Sequence, residues 1–420
     1  MNKTYVVICG FADVVAGGPI YYRNKIIYME AQGWNVVVIP TSGGKKVLIQ
    51  GMERFLGPYI PFILDMPSEY SKKQRRKLVD IFERFIPQNQ DEVVIETGTD
   101  YTCYWGEALA ERIGAKHIVI FLDEQNERVD EKVIEFYEFK YARREMACIT
   151  NEVMQHFFKG YMDLQLDECR SLACCCHNSI EDYEHPLIKQ IERSEYNIGY
   201  IGRLEKPFIP PIIQGFINFA EKHSDSAITV VFFGGAFEQK TIDRIKAQFE
   251  PLQNVRLIIT GYLFPLPLKA LKKIDVFVSG AGSSLTAAKA GVRSVMIDML
   301  SYETLGLMLD YEFKEYAKCP LGNTVSDYLE WILVKQNAPA PLPQNYENDW
   351  LFIKEKFAEH IQFMENSVPT KEYYDMEKLG VSKKRRWKRF FRTLLGLKIY
   401  NGLHNAEARF LLWKAGLSHA

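Results

Sequence analysis

Four stretches of the chain carry residue types at spacings that suit chemistry. The first is Ser279-Gly-Ala-Gly-Ser-Ser-Leu-Thr-Ala-Ala-Lys-Ala-Gly291, directly after the strand-like run Asp275 to Val278. Its small residues let the backbone approach a ligand, and Ser283 and Ser284 are placed to cap the helix that follows. A helix N-terminus offers unpaired N–H groups and the positive end of a dipole, which suits a phosphate. The plain alternative is a tight turn with an ordinary cap. The second is Arg203, with Lys206 three residues on, after Asn197 to Ile201; a guanidinium fork there suits a diphosphate, and a surface arginine is the other reading. The third is a set of carboxylates at strand ends: Asp123 and Glu124 after Phe121-Leu122, and Glu96 and Asp100 around Thr97 and Gly98. Either set suits a general base or an acceptor-orienting group, or simply a solvated turn. The fourth is Cys174-Cys-Cys-His177. Three consecutive cysteines in a strand alternate faces and do not converge on one ion, so a buried strand rather than a metal site is expected.

Alternating strands and helices must position these groups. Tyr5 to Cys9, a turn with Gly17 and Gly18, a helix from Pro19 to Gln32 and the run Val36 to Ile39 make one βαβ unit. Val93 to Ile95, Tyr104 to Ile113, Lys116 to Leu122, Glu131 to Glu145 and Ala147 to Thr150 continue it; Thr41 to Pro61 reads as hairpin or loop. A second alternation begins at Asn197 and runs through Ala227 to Gly234, Val255 to Thr260, Leu266 to Lys272 and Ser284 to Ala290. The expectation is two doubly wound α/β domains facing a cleft, residues 1–177 and 197–335, joined by an acidic linker 178–196. Residues 336–420 form a helical C-terminal segment in which Trp350 to Glu365 is amphipathic.

The chain has 420 residues, 47% hydrophobic and 25% charged, with formal net charge −1. That suits a globular protein with a sizeable core and excludes a polyanion binder by bulk charge. No run reaches the roughly 18–20 apolar residues that span a bilayer. Met1 to Gly10 lacks the form of a signal peptide, so a cytoplasmic protein is expected. Lys383 to Arg392 holds seven Lys or Arg in ten residues, interleaved with Trp387, Phe390 and Phe391. This segment is expected to meet an anionic membrane surface, making the protein peripheral at the inner face of the cell membrane. No nucleic-acid partner is expected.

The Gly-Ala-Gly-Ser-Ser-Leu pattern with Ala290-Gly-Val292 resembles the donor-site signature of GT-B glycosyltransferases. Tyr200-Ile-Gly-Arg-Leu-Glu-Lys206 is similar to the strand-end motif opening their second domain. Ala16-Gly-Gly-Pro19 through Gly33-Trp-Asn-Val-Val-Val-Ile39 is similar to their first-domain glycine loop, helix and strand. The resemblance is nearest to family 4- and family 1-like enzymes of bacterial polysaccharide or lipopolysaccharide assembly, and spans about residues 5–300. It implies a nucleotide-diphosphate sugar as donor substrate, no separate cofactor, and a saccharide or lipid-linked acceptor. The implied donor residues are Gly17, Gly18, Arg203, Lys206, Gly234, Tyr262, Gly282, Ser283, Ser284 and Thr286, with Asp123 and Glu124 as catalytic candidates. Tyr262 either stacks on the base or belongs to the core. The family's Glu-x7-Glu pair falls here at Val278 and Thr286, neither acidic. No D-x-D metal motif occurs, so no catalytic metal is expected. Two other readings stay open: a non-catalytic scaffold of the same fold, and another nucleotide-sugar enzyme such as an epimerase.

Overall fold

The computed structural model describes residues 2–9, 15–40, 47–55, 65–99, 101–122, 131–161, 164, 170–368, 372–380, 386–396 and 399–400. Two parallel sheets organise it. The first half runs β1 (Lys3–Cys9), α1 (Gly17–Ala31), β2 (Asn35–Pro40), α2 (Lys72–Glu83), β3 (Glu92–Thr97), α3 (Tyr101–Ile113), β4 (Lys116–Phe121), α4 (Ile134–Ala142), β5 (Met146–Cys148) and α5 (Asn151–Phe158). Its five strands are all parallel, in the order β2-β1-β3-β4-β5. Val- and Ile-rich strands buried on both faces, with helices covering them, make this arrangement.

The second half contains β6 (Ile180–Glu181), α6 (Leu187–Gln190), β7 (Tyr196–Ile201), α7 (Ile209–Lys222), β8 (Ile228–Phe233), α8 (Gln239–Phe249) and β9 (Val255–Ile259). There follow β10 (Leu266–Pro267), α9 (Leu268–Leu271), β11 (Val276–Gly280), α10 (Ala281–Lys289), β12 (Arg293–Ile297), β13 (Thr304–Met308), β14 (Tyr316–Ala317), α11 (Val325–Leu329) and α12 (Asp349–Asn366). Its seven-stranded sheet has the order β14-β13-β12-β11-β7-β8-β9. β13 and β14 are antiparallel additions that the alternation pattern did not announce.

In each sheet the strand order reverses at one place, between β1 and β3 in the first and between β7 and β11 in the second. Ligands of open α/β sheets bind at such reversals, beyond the carboxyl ends of the strands.

Several expectations are corrected. Residues 178–196 are not a featureless linker: β6 pairs with β10, and Lys273 donates to the Ile188 and Ile191 carbonyls. The cysteine run 174–176 is not a strand: it joins no ladder, and Cys175 has φ 43°. Leu266 to Lys272 is a two-residue strand and one helical turn rather than a helix. Helix α2, closed by a Ser71–Gln74 capping box, lies where no element was expected. Trp350 to Glu365 is helical as expected, within α12, which crosses back to the first half: Phe357 packs edge-on against Tyr21 of α1 at 5.8 Å.

Candidate functional site

The residues that follow β1, β7 and β11 meet in one cleft. It is lined by Val15, Ala16, Gly17 and Ile20 from the start of α1, by Gly202, Arg203 and Lys206 after β7, and by Ala281, Gly282 and Ser283 at the start of α10. Gly234 after β8, Tyr262 after β9, and Cys176, His177 and Asn178 complete the wall. The enclosed space is about 150 Å³, below the roughly 300–1,000 Å³ of most small-molecule sites. The cleft is thus a narrow slot between two sheets in this conformation.

Its floor is built by backbone apposition. Tyr200 donates its hydroxyl to the Arg203 carbonyl at 3.0 Å, and Leu204 N–H donates to the Gly235 carbonyl at 3.0 Å, fixing the turn that carries Arg203. A Cβ on Gly234 would fall inside the Gly202 carbonyl, so only glycine lets the ends of β7 and β8 come so close. Ser279 Oγ accepts from Ile201 N–H at 3.0 Å and ties β11 to β7 beneath the site. Arg203 lies with its guanidinium 5.4 Å from the Phe237 ring.

Two helix N-termini converge here. Neither α1 nor α10 has a side-chain cap or an acidic residue in its first turn, whereas α2, α5 and α11 are capped by Ser71, Thr150 and Thr324. Their first N–H groups therefore stay available, with the positive dipole ends aimed at one place. Ala281 opens α10 at φ 45°, a left-handed conformation costing a non-glycine residue about 1–2 kcal/mol. The strand-to-helix turn at the cleft is thus held under strain by its surroundings.

Residues 176–178 thread between these helix ends. A Cβ on Gly17 would lie 3.3 Å from Cys176 Sγ, and one on Gly282 would lie 3.3 Å from His177 Cβ. His177 faces Asp349 at 3.4 Å, and Asp349, at the start of α12, also binds Lys289 of α10. Burial alone would raise the Asp349 carboxyl, but His177 and Lys289 hold it below the usual carboxylate range. One carboxylate from α12 thereby fixes the far end of α10 and the histidine beside its near end. The sequence names His177 only as a neighbour of the cysteine run and gives no sign of Asn178 or Asp349. Neither spacing nor residue type marks them, because they come together from three separated segments.

Tyr262 packs its ring 3.1 Å from where a Gly235 Cβ would stand. Its hydroxyl and the Glu205 Oε2 are both buried without a partner in the structure. Burial, with Glu205 nearby, pushes the Tyr262 hydroxyl up to about 12. Buried polar atoms without partners are rare in proteins, so this corner fits a ligand bearing polar edges.

Of the residues singled out from sequence, Gly17, Arg203, Lys206, Gly234, Tyr262, Gly282 and Ser283 line the cleft. Gly18, Ser284 and Thr286 do not. Because α10 starts at Ala281, Ser284 falls inside its first full turn, where its side chain is fully buried. Thr286 is buried and bonds back to the Gly282 carbonyl at 2.9 Å. Neither serine caps the helix, since Gly280 takes that position. Asp123, Glu124 and Asp100 lie outside the described residues. Glu96 is no acceptor-side acid: it is fully buried, accepts from Tyr21 at 2.5 Å and faces Lys25 at 3.6 Å.

The basic segment is also corrected in part. Residues 386–396 form a helix in which Arg392 points inward, buried against Glu69 and Asp65 and 4.4 Å from the Tyr70 ring. Lys388 sits 3.6 Å from Glu69. Trp387, Phe390 and Leu394 stand 63%, 54% and 67% exposed, with Phe391 stacked on Trp387. Lys383 to Arg385 lie outside the described residues. Among the described residues no helix is long and apolar enough to cross a membrane.

No protein-family model matches the chain, and no curated protein matches it. Solved structures do match. A glycosyltransferase from Rickettsia africae superposes with TM-score 0.55 at 12% identity, over 87% of this chain and 97% of that one. The Anabaena protein HepE in complex with UDP-glucose gives TM-score 0.53 at 11% identity, over 85% and 99%. A putative UDP-N-acetylglucosamine 2-epimerase from Listeria monocytogenes gives 0.48 at 12%, over 89% and 100%. Two doubly wound sheets meeting at their strand reversals, spanned by a returning C-terminal helix, give this chain the GT-B fold of the glycosyltransferases.

Proposed function

We propose that the protein transfers a sugar from a nucleotide-diphosphate donor to a saccharide acceptor. The observation that carries this reading is the convergence of two uncapped helix N-termini, α1 and α10, on one cleft that Arg203 and Lys206 also line. Those groups are suited to a diphosphate in the ground state and to the charge that grows on it as the glycosidic bond breaks. The corner where Tyr262, after β9, meets Glu205, after β7, would receive the nucleoside, and the first-half wall at Val15 to Ile20 would receive sugar and acceptor. Structures of the same fold hold UDP or UDP-glucose, which makes a uridine nucleotide the first donor to try. Asp123 and Glu124, just past β4, are the proposed acceptor-side acids. With Thr286 turned into its own helix, a family-type glutamate contact to donor ribose is absent at that position.

The exposed side chains of Trp387, Phe390, Phe391 and Leu394, beside the cations of the same helix, support contact with an anionic membrane surface and hence a lipid-linked acceptor, as in surface polysaccharide assembly.

The test is thermal stabilisation by UDP, GDP, ADP, CDP and TDP, with Arg203→Ala alongside, followed by sugar-release assays with the matching nucleotide sugars. A ligand at ~100 times its dissociation constant stabilises by roughly 2.7 kcal/mol. Stabilisation lost in the variant supports the donor site. Stabilisation without sugar transfer, but with interconversion of the donor sugar, would move the reading to an epimerase; no stabilisation by any nucleotide would move it to a scaffold.

A further inference from the structure

A left-handed residue at Cys175 breaks the strand alternation expected of three consecutive cysteines and leaves the first and third side by side. Cys174 Sγ donates to Cys176 Sγ at 2.9 Å, while Cys175, at φ 43°, turns into the core under α12. The backbone around the pair is pinned: His360 Nε2 donates to the Ala173 carbonyl at 3.0 Å, and Asn24 donates to the Cys175 carbonyl at 3.0 Å. The other described thiols are apart from this pair. Cys9, Cys103 and Cys148 are buried in the first-half core, and Cys319 donates to the Asp327 carbonyl.

The two thiols are both half-buried but face different surroundings. Cys176 lines the cleft and lies against Gly17 at the start of α1, so an incoming small disulfide meets its sulfur first. Cys174 is held as a thiol: donating to Cys176 pushes its titration up, and burial adds to this.

We propose that Cys174 and Cys176 form an oxidisable dithiol in the wall of the cleft, with Cys176 the attacking sulfur and Cys174 the resolving one. A low-molecular-weight disulfide is the oxidant. The Cys176 thiolate attacks one of its sulfurs, forming a mixed disulfide and releasing one thiolate. Cys176 then no longer accepts the hydrogen bond that kept Cys174 protonated. Cys174 gives up its proton and attacks Cys176 Sγ, closing the intramolecular bond and expelling the second thiolate. The two cysteines lose two protons and two electrons; the small disulfide becomes two thiols.

Closure draws Cys176 Sγ from 2.9 Å to bonding distance of Cys174, off the Gly17 face. His177 and Asn178 follow directly in the chain and line the same wall. Oxidation therefore reshapes the space between α1 and α10. This consequence rests on the donor-site reading; the chemistry of the pair does not.

The experiment treats the full-length protein with oxidised glutathione, alkylates the remaining thiols and maps the peptides. A Cys174–Cys176 disulfide is expected, retained in Cys175→Ser. Cys174→Ser should stop at a glutathione adduct on Cys176, and Cys176→Ser should take no adduct on Cys174. Absence of the disulfide in the parent protein, or an adduct on Cys174 in Cys176→Ser, overturns the proposal. In parallel, binding of the stabilising nucleoside diphosphate should weaken about tenfold on oxidation and recover with dithiothreitol. Unchanged affinity overturns the effect on the cleft. If the reduced protein binds no nucleotide at all, the donor reading fails while the peptide map still decides the dithiol.

Discussion

Gly234 lies so close to the Gly202 carbonyl that no side chain fits between the ends of β7 and β8. Gly234→Ala should therefore separate two strand ends, one carrying Arg203 and the other Gly235, against which the Tyr262 ring packs. Overpacking of this kind costs about 1–3 kcal/mol. Urea unfolding should show that loss. Nucleotide-induced stabilisation should vanish in the same variant at temperatures where it is still folded. A variant as stable and as responsive as the parent would show that the two strand ends have room to part.

Glu107 predicts an acid limit to stability. It is buried, with Lys140 Nζ at 2.7 Å and His117 Nδ1–H at 2.8 Å. Burial would raise its carboxyl, but these partners hold it at about 2, below the ordinary 4.5. The unfolded carboxyl therefore takes up its proton at higher pH than the folded one. The stabilisation is complete above about 4.5 and disappears as pH falls toward about 2; at about 1.4 kcal/mol per unit it amounts to about 3 kcal/mol. Burial lowers the His117 imidazole below its usual value, so the folded state also loses stability as pH drops below about 6.5. Unfolding followed from pH 7 to 3 should show this fall, and Glu107→Gln should flatten its lower part.

Arg392 and Trp387 should separate anchoring from membrane contact. Arg392→Ala removes the buried guanidinium facing Glu69 and leaves Lys388 at 3.6 Å, so the loss should stay below the ~3–5 kcal/mol of a fully stranded buried charge. Trp387→Ser with Phe390→Ser removes two exposed rings and should leave unfolding within about 0.5 kcal/mol of the parent. Co-sedimentation with anionic vesicles should fall in the double variant. Retained sedimentation there would remove the rings from the contact.

Lys25 and Glu96 form a fully buried pair under α12, with Lys25 Nζ 5.0 Å from the Phe357 ring. Lys25→Ala leaves the Glu96 charge uncompensated and should cost about 3–5 kcal/mol, whereas Lys25→Met with Glu96→Gln should recover much of it. Urea denaturation of the three proteins measures the coupling. A single variant no less stable than the double one would mean that Tyr21 alone satisfies the carboxylate.

The two-sheet plan was legible because β1, β3, β7, β8 and β11 are apolar runs closed by glycines, and because α1 and α12 carry clear helical signals. The second-half wall of the cleft was legible for the same reason: Arg203, Gly234 and Gly282 each stand one or two residues past a strand. Ser284, expected as a cap, and Thr286, expected where the family's second glutamate stands, were both misplaced: α10 starts three residues before Ser284, which moves both into the interior. Glu96 shows the limit for carboxylates, since a strand-end acid reads alike whether it faces solvent or Lys25. β13 and β14 add to the sheet by antiparallel pairing across a loop, which carries no βα alternation to detect. The pairing of His177 with Asp349 was invisible because it joins positions 172 residues apart in the chain.

The returning helix α12 has a consequence for synthesis. Ile353, Phe357, Phe363 and Met364 complete the apolar cluster built on Tyr21, Ile26 and Met29 of α1. On the ribosome, the first sheet must wait with that face uncovered until the whole second sheet has been translated. The amino-terminal half, whose last helix ends at Phe158, is a vectorial intermediate that depends on a helix beginning only at Asp349, so a stalled or truncated product should be a substrate for chaperones rather than a free-standing domain.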